Sequence, residues 1–378
     1  MHFVAIGDIG VVDGMLHVGD EAMFEALVLE LRARGVDRIT AISSNVDDTR
    51  ARYGVEAVEG FGFTGDREAN ERLLAGGVSG AIREAVEQAD AVVVAGGGNM
   101  TSIWPSHVYA RAALGRLAAS DGVPFVVSGQ TIGPQLYERD AELVSEMLAS
   151  SALFGVRERD SLALVSSLGT TPFLNADDAS FLADLTTTRE PLPLMPYALV
   201  SLSTHTAAHD KAAFVTAMAE LLDEVARHTA VVFSAHWAPL DGPPRGDELM
   251  HERVRSAMTQ PSGVVRVRDS ATSAALARGA ELVVSSRYHP VVFAVSGGVP
   301  AIGVPVDDYT TTKLTGALGN FGQTSLLPIS QLSDGADLFF DVWQARALIR
   351  ERGLAEAEVQ RAASSAWWQN VATAGASR

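Results

Sequence analysis

A chain of 378 residues has room for two domains of ordinary size, and with 47% hydrophobic and 20% charged residues it is too apolar to be disordered. The 29 Lys and Arg against 46 Asp and Glu leave a net charge of −17, which argues against a broad basic face for nucleic acid or anionic lipid; an anionic ligand must be gripped by a few concentrated Arg, His or backbone N–H groups. The absence of cysteine excludes disulfides, a thiolate nucleophile and Cys-ligated metal.

The segment from Met1 to Gly7 reads as a strand running into a loop, without the basic start and apolar stretch of a secretion leader. No run nears the roughly 20 apolar residues of a membrane span, so a soluble, cytoplasmic chain is expected. Short apolar runs then alternate with Gly-rich or polar loops and helical patterns. Strands are predicted at residues 2–7, 38–43, 91–95, 124–128 and 153–156, with amphipathic helices at 21–34, 67–88, 108–119 and 140–150. The runs are rich in Val, Ile and Phe and do not alternate with polar residues, the pattern of strands buried on both faces of a parallel sheet. Residues 186–196, TTTREPLPLMP, break the rhythm with three prolines and read as a linker. The pattern resumes with strands at 197–203, 230–235, 264–267, 282–285 and 301–304 and helices at 210–226, 247–258, 270–278 and 290–296. A helical tail follows from residue 334. The expected organisation is a Rossmann-like domain over 1–185, the linker 186–196, a second Rossmann-like domain over 197–333, and C-terminal helices 334–378 packing back on the first. That is an α/β, GT-B-like pair of parallel-sheet domains facing a central cleft.

In open parallel sheets ligands bind beyond the carboxyl ends of the strands, and the unusual residues of this chain cluster there. After the strand 282–285 comes Ser286-Arg287-Tyr288-His289-Pro290, with Pro290 read as the first helical position and Gly297 or Gly298 as the stop. A strand-to-helix junction presents free N–H groups and a positive dipole end to an anion. Arg287 can clamp phosphate or carboxylate bidentately, and His289 can give a proton; alternatively, Arg287 pairs with a carboxylate and His289 caps the helix. Gly96-Gly97-Gly98-Asn99 follows an apolar strand, reads as a loop before a helix, and matches neither a dinucleotide nor an ATP fingerprint. It is a close backbone approach to a ligand or a tight turn. Gly129-Gln130-Thr131-Ile132-Gly133-Pro134 is a second such loop, in which Gln130 and Thr131 serve hydroxyl recognition or turn chemistry. Arg157, in Arg157-Glu158-Arg159-Asp160, is expected to point into the cleft, unless the run is a solvated helix start. His236 with Trp237 reads as a sugar-stacking edge, and Asp20, beside His17 in the first loop, as an N-cap with functional potential. No spacing marks a metal site, no cofactor is implied, and no G-x-S-x-G nucleophile elbow occurs.

In their order along the chain, Gly19-Asp20-Glu21-Ala22, Gly96-Gly97-Gly98-Asn99, the 129–134 loop, Val156-Arg157-Glu158-Arg159-Asp160-Ser161, Asp177-Asp178-Ala179-Ser180-Phe181, Ser286-Arg287-Tyr288-His289 and Lys313 make the sequence resemble the polysaccharide pyruvyl transferase family over nearly its whole length. The resemblance implies transfer of the pyruvyl group of phosphoenolpyruvate to a saccharide, giving a cyclic ketal and phosphate. It makes His289 and Arg287 the catalytic pair, with Arg157, Ser286 and Lys313 as further contacts. Gly97, Gly98, Asn99, Gln130, Asp20 and His236 are the remaining substrate-binding candidates, with the acceptor on the first domain and phosphoenolpyruvate on the second. The partners expected are those two substrates, with neither nucleic acid nor a membrane span, and homo-oligomerisation is open. Two other readings stay open: a GT-B glycosyltransferase using a nucleotide sugar, and a non-catalytic two-lobed binder of sugar or phosphate.

Overall fold

The computed structural model describes residues 1–78, 80–188 and 190–376. In chain order the elements are β1 (His2–Ile6), β2 (Met15–His17), α1 (Val18–Ala33), β3 (Arg38–Ser43), α2 (Val46–Tyr53), β4 (Glu56–Glu59), α3 (Arg67–Gly76), α4 (Ala81–Glu87), β5 (Ala91–Val94), β6 (Gly97–Met100), α5 (Pro105–Ser120), β7 (Phe125–Ile132), α6 (Glu138–Ser150), β8 (Leu153–Val156), α7 (Arg159–Leu168) and β9 (Phe173–Leu174). There follow α8 (Leu182–Leu185), β10 (Tyr197–Ser201), α9 (Lys211–Ala226), β11 (Ala230–Phe233), β12 (Trp237–Pro239), α10 (Asp247–Ala257), β13 (Ser262–Val264), α11 (Ser270–Gly279), β14 (Leu282–Ser285), α12 (Tyr288–Val295), β15 (Ala301–Gly303), α13 (Asp308–Gly319) and α14 (Gly335–Ala376).

The chain forms two compact units: unit 1 comprises residues 1–12, 23–178 and 362–378, and unit 2 comprises 13–22 and 179–361. These bounds depart from the expected ones. Residues 13–22 join unit 2 because β2 pairs antiparallel with β12, and the 186–196 segment falls within unit 2 as well. The tail is one helix, α14, whose residues to Arg361 cluster with unit 2 and whose last turns cluster with unit 1.

In unit 1 the parallel sheet runs β4-β3-β1-β5-β7-β8-β9, with β6 paired to β7. Both its faces are covered, and side chains divide between them with the period of two that a pleated strand imposes. Along β1, Val4 and Ile6 enter a core shared with Leu114, Leu117, Leu143 and Met147, whereas Phe3 and Ala5 enter one shared with Phe24, Leu27, Leu31 and Trp368. The non-alternating sequence pattern is thus the pattern of a strand with two apolar faces to satisfy. The helix predicted at 67–88 is two, because Gly76-Gly77 sits mid-run and Gly77 takes a positive φ of 74°. β7 extends through Ile132, so the 129–134 segment is largely strand rather than loop.

Unit 2 has the parallel order β13-β11-β10-β14-β15. Ala198, Val200, Phe233, Val284 and Ile302 pack under Phe214, Met218 and Leu222 of α9 and Phe339 of α14. In each sheet the chain builds outward in one direction and then returns to the other side of its first strand. The reversal lies between β1 and β5 in unit 1 and between β10 and β14 in unit 2.

Candidate functional site

The reversal in unit 2 gathers the strongest candidates. Ser285 ends β14, its Oγ accepting from Arg287 N (2.9 Å) and donating to Ser201 O of β10 (2.8 Å). Ser286 Oγ accepts from Ser203 N (2.8 Å), tying the turn after β14 to the loop after β10. Arg287 is the N-cap residue of α12, and His289 is the second helical residue. The helix therefore begins two residues before Pro290; a proline in the first turn is tolerated because the N–H it lacks would have no intrahelical partner there.

Arg287 meets a carboxylate, as one of the two sequence readings has it. Its Nε and Nη2 donate to the two oxygens of Asp247 at 2.9 and 2.5 Å. Asp247 is fully buried and also accepts from Trp237 N (2.9 Å) and His236 N (3.3 Å), so one carboxylate binds the start of α10, the ribbon at β12 and the guanidinium together. The arginine side chain keeps 28% exposure, and among the described residues its Nη1 has no partner. The ion pair orients the group and leaves one edge for a ligand.

His289 packs beside Phe293, ring centroids 5.9 Å apart, and against the first turn of α1. A Cβ on Gly19 would lie 1.8 Å from His289 Nδ1, so only glycine fits there. That contact gives Gly19 of the Gly19-Asp20-Glu21 motif a physical reason. Asp20 is the third residue of α1 rather than its N-cap, half-buried and 3.7 Å from His17 Nδ1. The helix begins at Val18 because Val18 N donates to His236 O (3.0 Å). His236 is itself buried, its Nε2 2.8 Å from Ser273 Oγ. It is therefore not an exposed stacking edge; Trp237, half-buried, instead faces His17 at 5.5 Å. Burial, followed by repulsion from His289, Arg287 and His251, holds the His236 imidazole neutral far below its ordinary range. Lys313 Nζ stands 4.9 Å from the ring centre of Tyr288 and 4.6 Å from that of Tyr309, which places a second cation beside the Arg287–His289 turn.

The unit 1 candidates fare differently. Arg157 does not reach solvent: it is fully buried, donating from Nε to Thr131 Oγ1 (2.8 Å) and pairing with Asp177 and Glu158, themselves buried. A charge in that setting needs its partners and neutralises them. Gln130 is also fully buried, with Nε2 donating to Ser128 O (3.0 Å) and to Ala95 O, because β7 continues through it. Gly97 and Gly98 are buried in β6 rather than opening a helix, since α5 starts only at Pro105. Asn99 remains half-buried, its Nδ2 donating to Asp8. The acidic pair Asp177-Asp178 is structural too. Asp178 accepts from Gly96 N and Ser128 Oγ, both 2.9 Å, and lies so close to Gly129, at φ 44°, that a Cβ there would meet it at 2.6 Å. Asp247, Asp8, His107 and Arg111 were not singled out as site residues from sequence; Asp247 follows a strand, but nothing local marks its partner 40 positions away.

Comparison with known proteins decides the family. The model of the family described as "Polysaccharide pyruvyl transferase" matches residues 17–308. The chain belongs to that family. No curated protein matches the sequence. Among solved structures, this family member resembles the UDP-GlcNAc 2-epimerase of Neisseria meningitidis (TM-score 0.60, 10% identity, 94% of each chain). It also resembles UGT89C1 of Arabidopsis thaliana (0.59, 11%, 100% of this chain and 98% of that one) and the calicheamicin glycosyltransferase CalG4 (0.53, 18%, 96% and 94%). At such identities the likeness is one of fold, and the fold is that of the GT-B glycosyltransferases and epimerases. Among the described residues no helix is long and apolar enough to cross a membrane.

Proposed function

We propose that this pyruvyl transferase family member takes its pyruvyl group from phosphoenolpyruvate, bound at the Arg287–His289 turn of unit 2, and passes it to two hydroxyls of a saccharide. The observation that carries the reading is the carboxylate-oriented Arg287, one edge open, at the start of an eight-residue helix beside His289 and Lys313. In a chain of net charge −17 this is a local concentration of positive charge suited to a small trianion. Arg287 Nη1 and Lys313 Nζ bind phosphate and carboxylate oxygens, helped by the first-turn N–H groups of α12. His289, as imidazolium, donates its proton to the methylene carbon of the enol. The adjacent carbon gains cationic character and is attacked by one sugar hydroxyl, which loses its proton to solvent or base. The carbon–oxygen bond to phosphate then breaks, a second hydroxyl closes the ketal with loss of its proton, and hydrogenphosphate leaves. Gly19 leaves His289 room to hold its position, and His236, neutral, adds no competing charge. Ser286, through Ser203 N, and His236, through its own backbone N–H on Asp247, thus brace the donor turn.

Phosphate release from phosphoenolpyruvate with a panel of nucleotide-linked, lipid-linked and aryl sugars tests the reading, together with a binding titration of phosphoenolpyruvate. Wild type is expected to bind phosphoenolpyruvate, and His289→Gln to bind it without turnover. A chain that ignores phosphoenolpyruvate but binds a nucleotide sugar is a glycosyltransferase instead.

A further inference from the structure

Phosphate leaves the reaction with a proton that neither Arg287 nor His289 supplies, and the turn after β15 carries a phenol able to give it. β14 and β15 pair in parallel, Ser285 opposite Gly303, so the loops that follow them open side by side at the carboxyl edge of the sheet. α13 starts from the second of these loops. Its N-cap Asp307 accepts from Thr310 N (2.8 Å), and its other oxygen stands 2.8 Å from His205 Nε2 in the loop after β10. That same loop holds Ser286 through Ser203 N, so it braces both turns. Tyr309 is the second residue of α13, and Lys313 lies one helical turn beyond it on the same face.

Lys313 Nζ donates to Tyr309 Oη at 3.1 Å while standing over the rings of Tyr309 and of Tyr288, the residue between Arg287 and His289. An ammonium has no acceptor, so in this contact the phenol oxygen accepts and its own hydrogen is directed elsewhere. A cation donating to that oxygen, with the start of α13 behind it, stabilises the negative charge left when the hydrogen departs. Where Lys313 Nζ holds a phosphate oxygen of the donor, a phenol oxygen 3.1 Å from that nitrogen stands beside the same phosphate. Both side chains are half-buried, which keeps the phenol within reach of a bound ligand.

We propose that Tyr309 is a further catalytic residue of the transfer, giving a proton to the departing phosphate and then taking the proton of the second sugar hydroxyl. The assignment rests on the pyruvyl-transfer reading. His289 protonates the methylene carbon and recovers a proton from the first hydroxyl as that oxygen bonds to the adjacent carbon. The product of this step is a tetrahedral adduct that still carries the phosphate ester. Tyr309 then passes its hydrogen to the bridging ester oxygen, and the carbon–oxygen bond breaks with its electron pair going to phosphate. The phenolate, held by Lys313, takes the proton of the second hydroxyl as the ketal closes. Both residues end as they began; of the two sugar protons, one has in effect moved to the new methyl group and one to hydrogenphosphate.

The test is Tyr309→Phe on the full chain, with phosphoenolpyruvate and the panel sugar that gives the fastest phosphate release in wild type. Phenylalanine keeps the ring beside Lys313 and removes only the hydroxyl, and an unchanged thermal midpoint checks the fold. Turnover should fall at least about a hundredfold, while affinity for phosphoenolpyruvate stays within about twofold. Alkali-quenched mixtures of Tyr309→Phe should show, by phosphorus NMR, the phosphate ester of the tetrahedral adduct, distinct from phosphoenolpyruvate and from free phosphate. His289→Gln, blocked one step earlier, should show none. A merely structural role for the hydroxyl does not accumulate that adduct. Unchanged turnover in Tyr309→Phe, or a loss of turnover without the adduct, overturns the role of Tyr309 and leaves the pyruvyl reading standing. If wild type releases no phosphate from phosphoenolpyruvate with any sugar of the panel, the reading falls and the assignment with it.

Discussion

Arg157 and Arg287 stand at equivalent places, each just beyond the carboxyl end of a parallel strand, and the fold treats them in opposite ways. Arg157 is sealed between Asp177 and Glu158 with no exposure. Arg287 has one buried partner and 28% exposure. Two carboxylates and the hydroxyl of Thr131 occupy the first guanidinium, whereas one carboxylate orients the second and leaves an edge open. A basic residue after a strand thus keeps an open edge or becomes an internal rivet according to how many buried acceptors the tertiary structure brings to it.

The sharpest way to break this comparison is Arg157→Met. It leaves Asp177 and Glu158 as buried charges without their counter-ion, so stability measured by urea unfolding should fall by about 3–5 kcal/mol. A fall below about 1 kcal/mol, the range of an exposed pair, would show that Arg157 is not sealed. Next in size, Gly19→Ala drives a methyl into the His289 ring and should lower turnover by about a hundredfold while the fold persists, checked by phosphate release beside the thermal midpoint. Arg287→Lys keeps the charge on Asp247 but cannot form the two-pronged contact. Affinity for phosphoenolpyruvate should drop about tenfold by titration, and an unchanged affinity would remove Arg287 from the donor site.

A last comparison concerns pH. Burial and the neighbouring Asp177 push the Asp178 carboxyl from 3.8 up to about 7. A raised folded value means the native state holds the proton more tightly, so this group's contribution is full below about pH 4 and is lost as pH climbs through about 7, at no more than about 1.4 kcal/mol per pH unit. His251 works oppositely: burial lowers it from 6.5 to about 4, so its contribution is lost as pH falls through that interval. Subtracting an Asp178→Asn melting series from the wild-type series isolates the first group. The asparagine should be relatively more stable at neutral pH, and parallel curves would contradict the raised carboxyl.

Much of this was legible in the residues. The strands Arg38–Ser43, Leu153–Val156 and Leu282–Ser285 were bounded by their own apolar runs and turn residues, and the Arg287–His289 junction followed from strand and helix signals lying side by side. The β2–β12 ribbon was not legible, because its two three-residue strands are some 220 positions apart and neither has a period of its own. With the bond from Val18 N to His236 O, it carries residues 13–22 into unit 2 and so explains how Gly19 comes to touch His289.

The sequence by itself determined the doubly covered parallel sheets, the family and the turn where the donor candidates lie, since each is written in local runs of apolar residues, glycines and motif order. Only the tertiary structure decided which polar residues face outward. Gln130 and Arg157 were drawn inside by strand continuation and buried carboxylates, Arg287 was aimed by Asp247, and Asp8, His107 and Arg111 were brought together across some 100 positions. Burial and pairing depend on partners distant in the chain, and no local pattern encodes them.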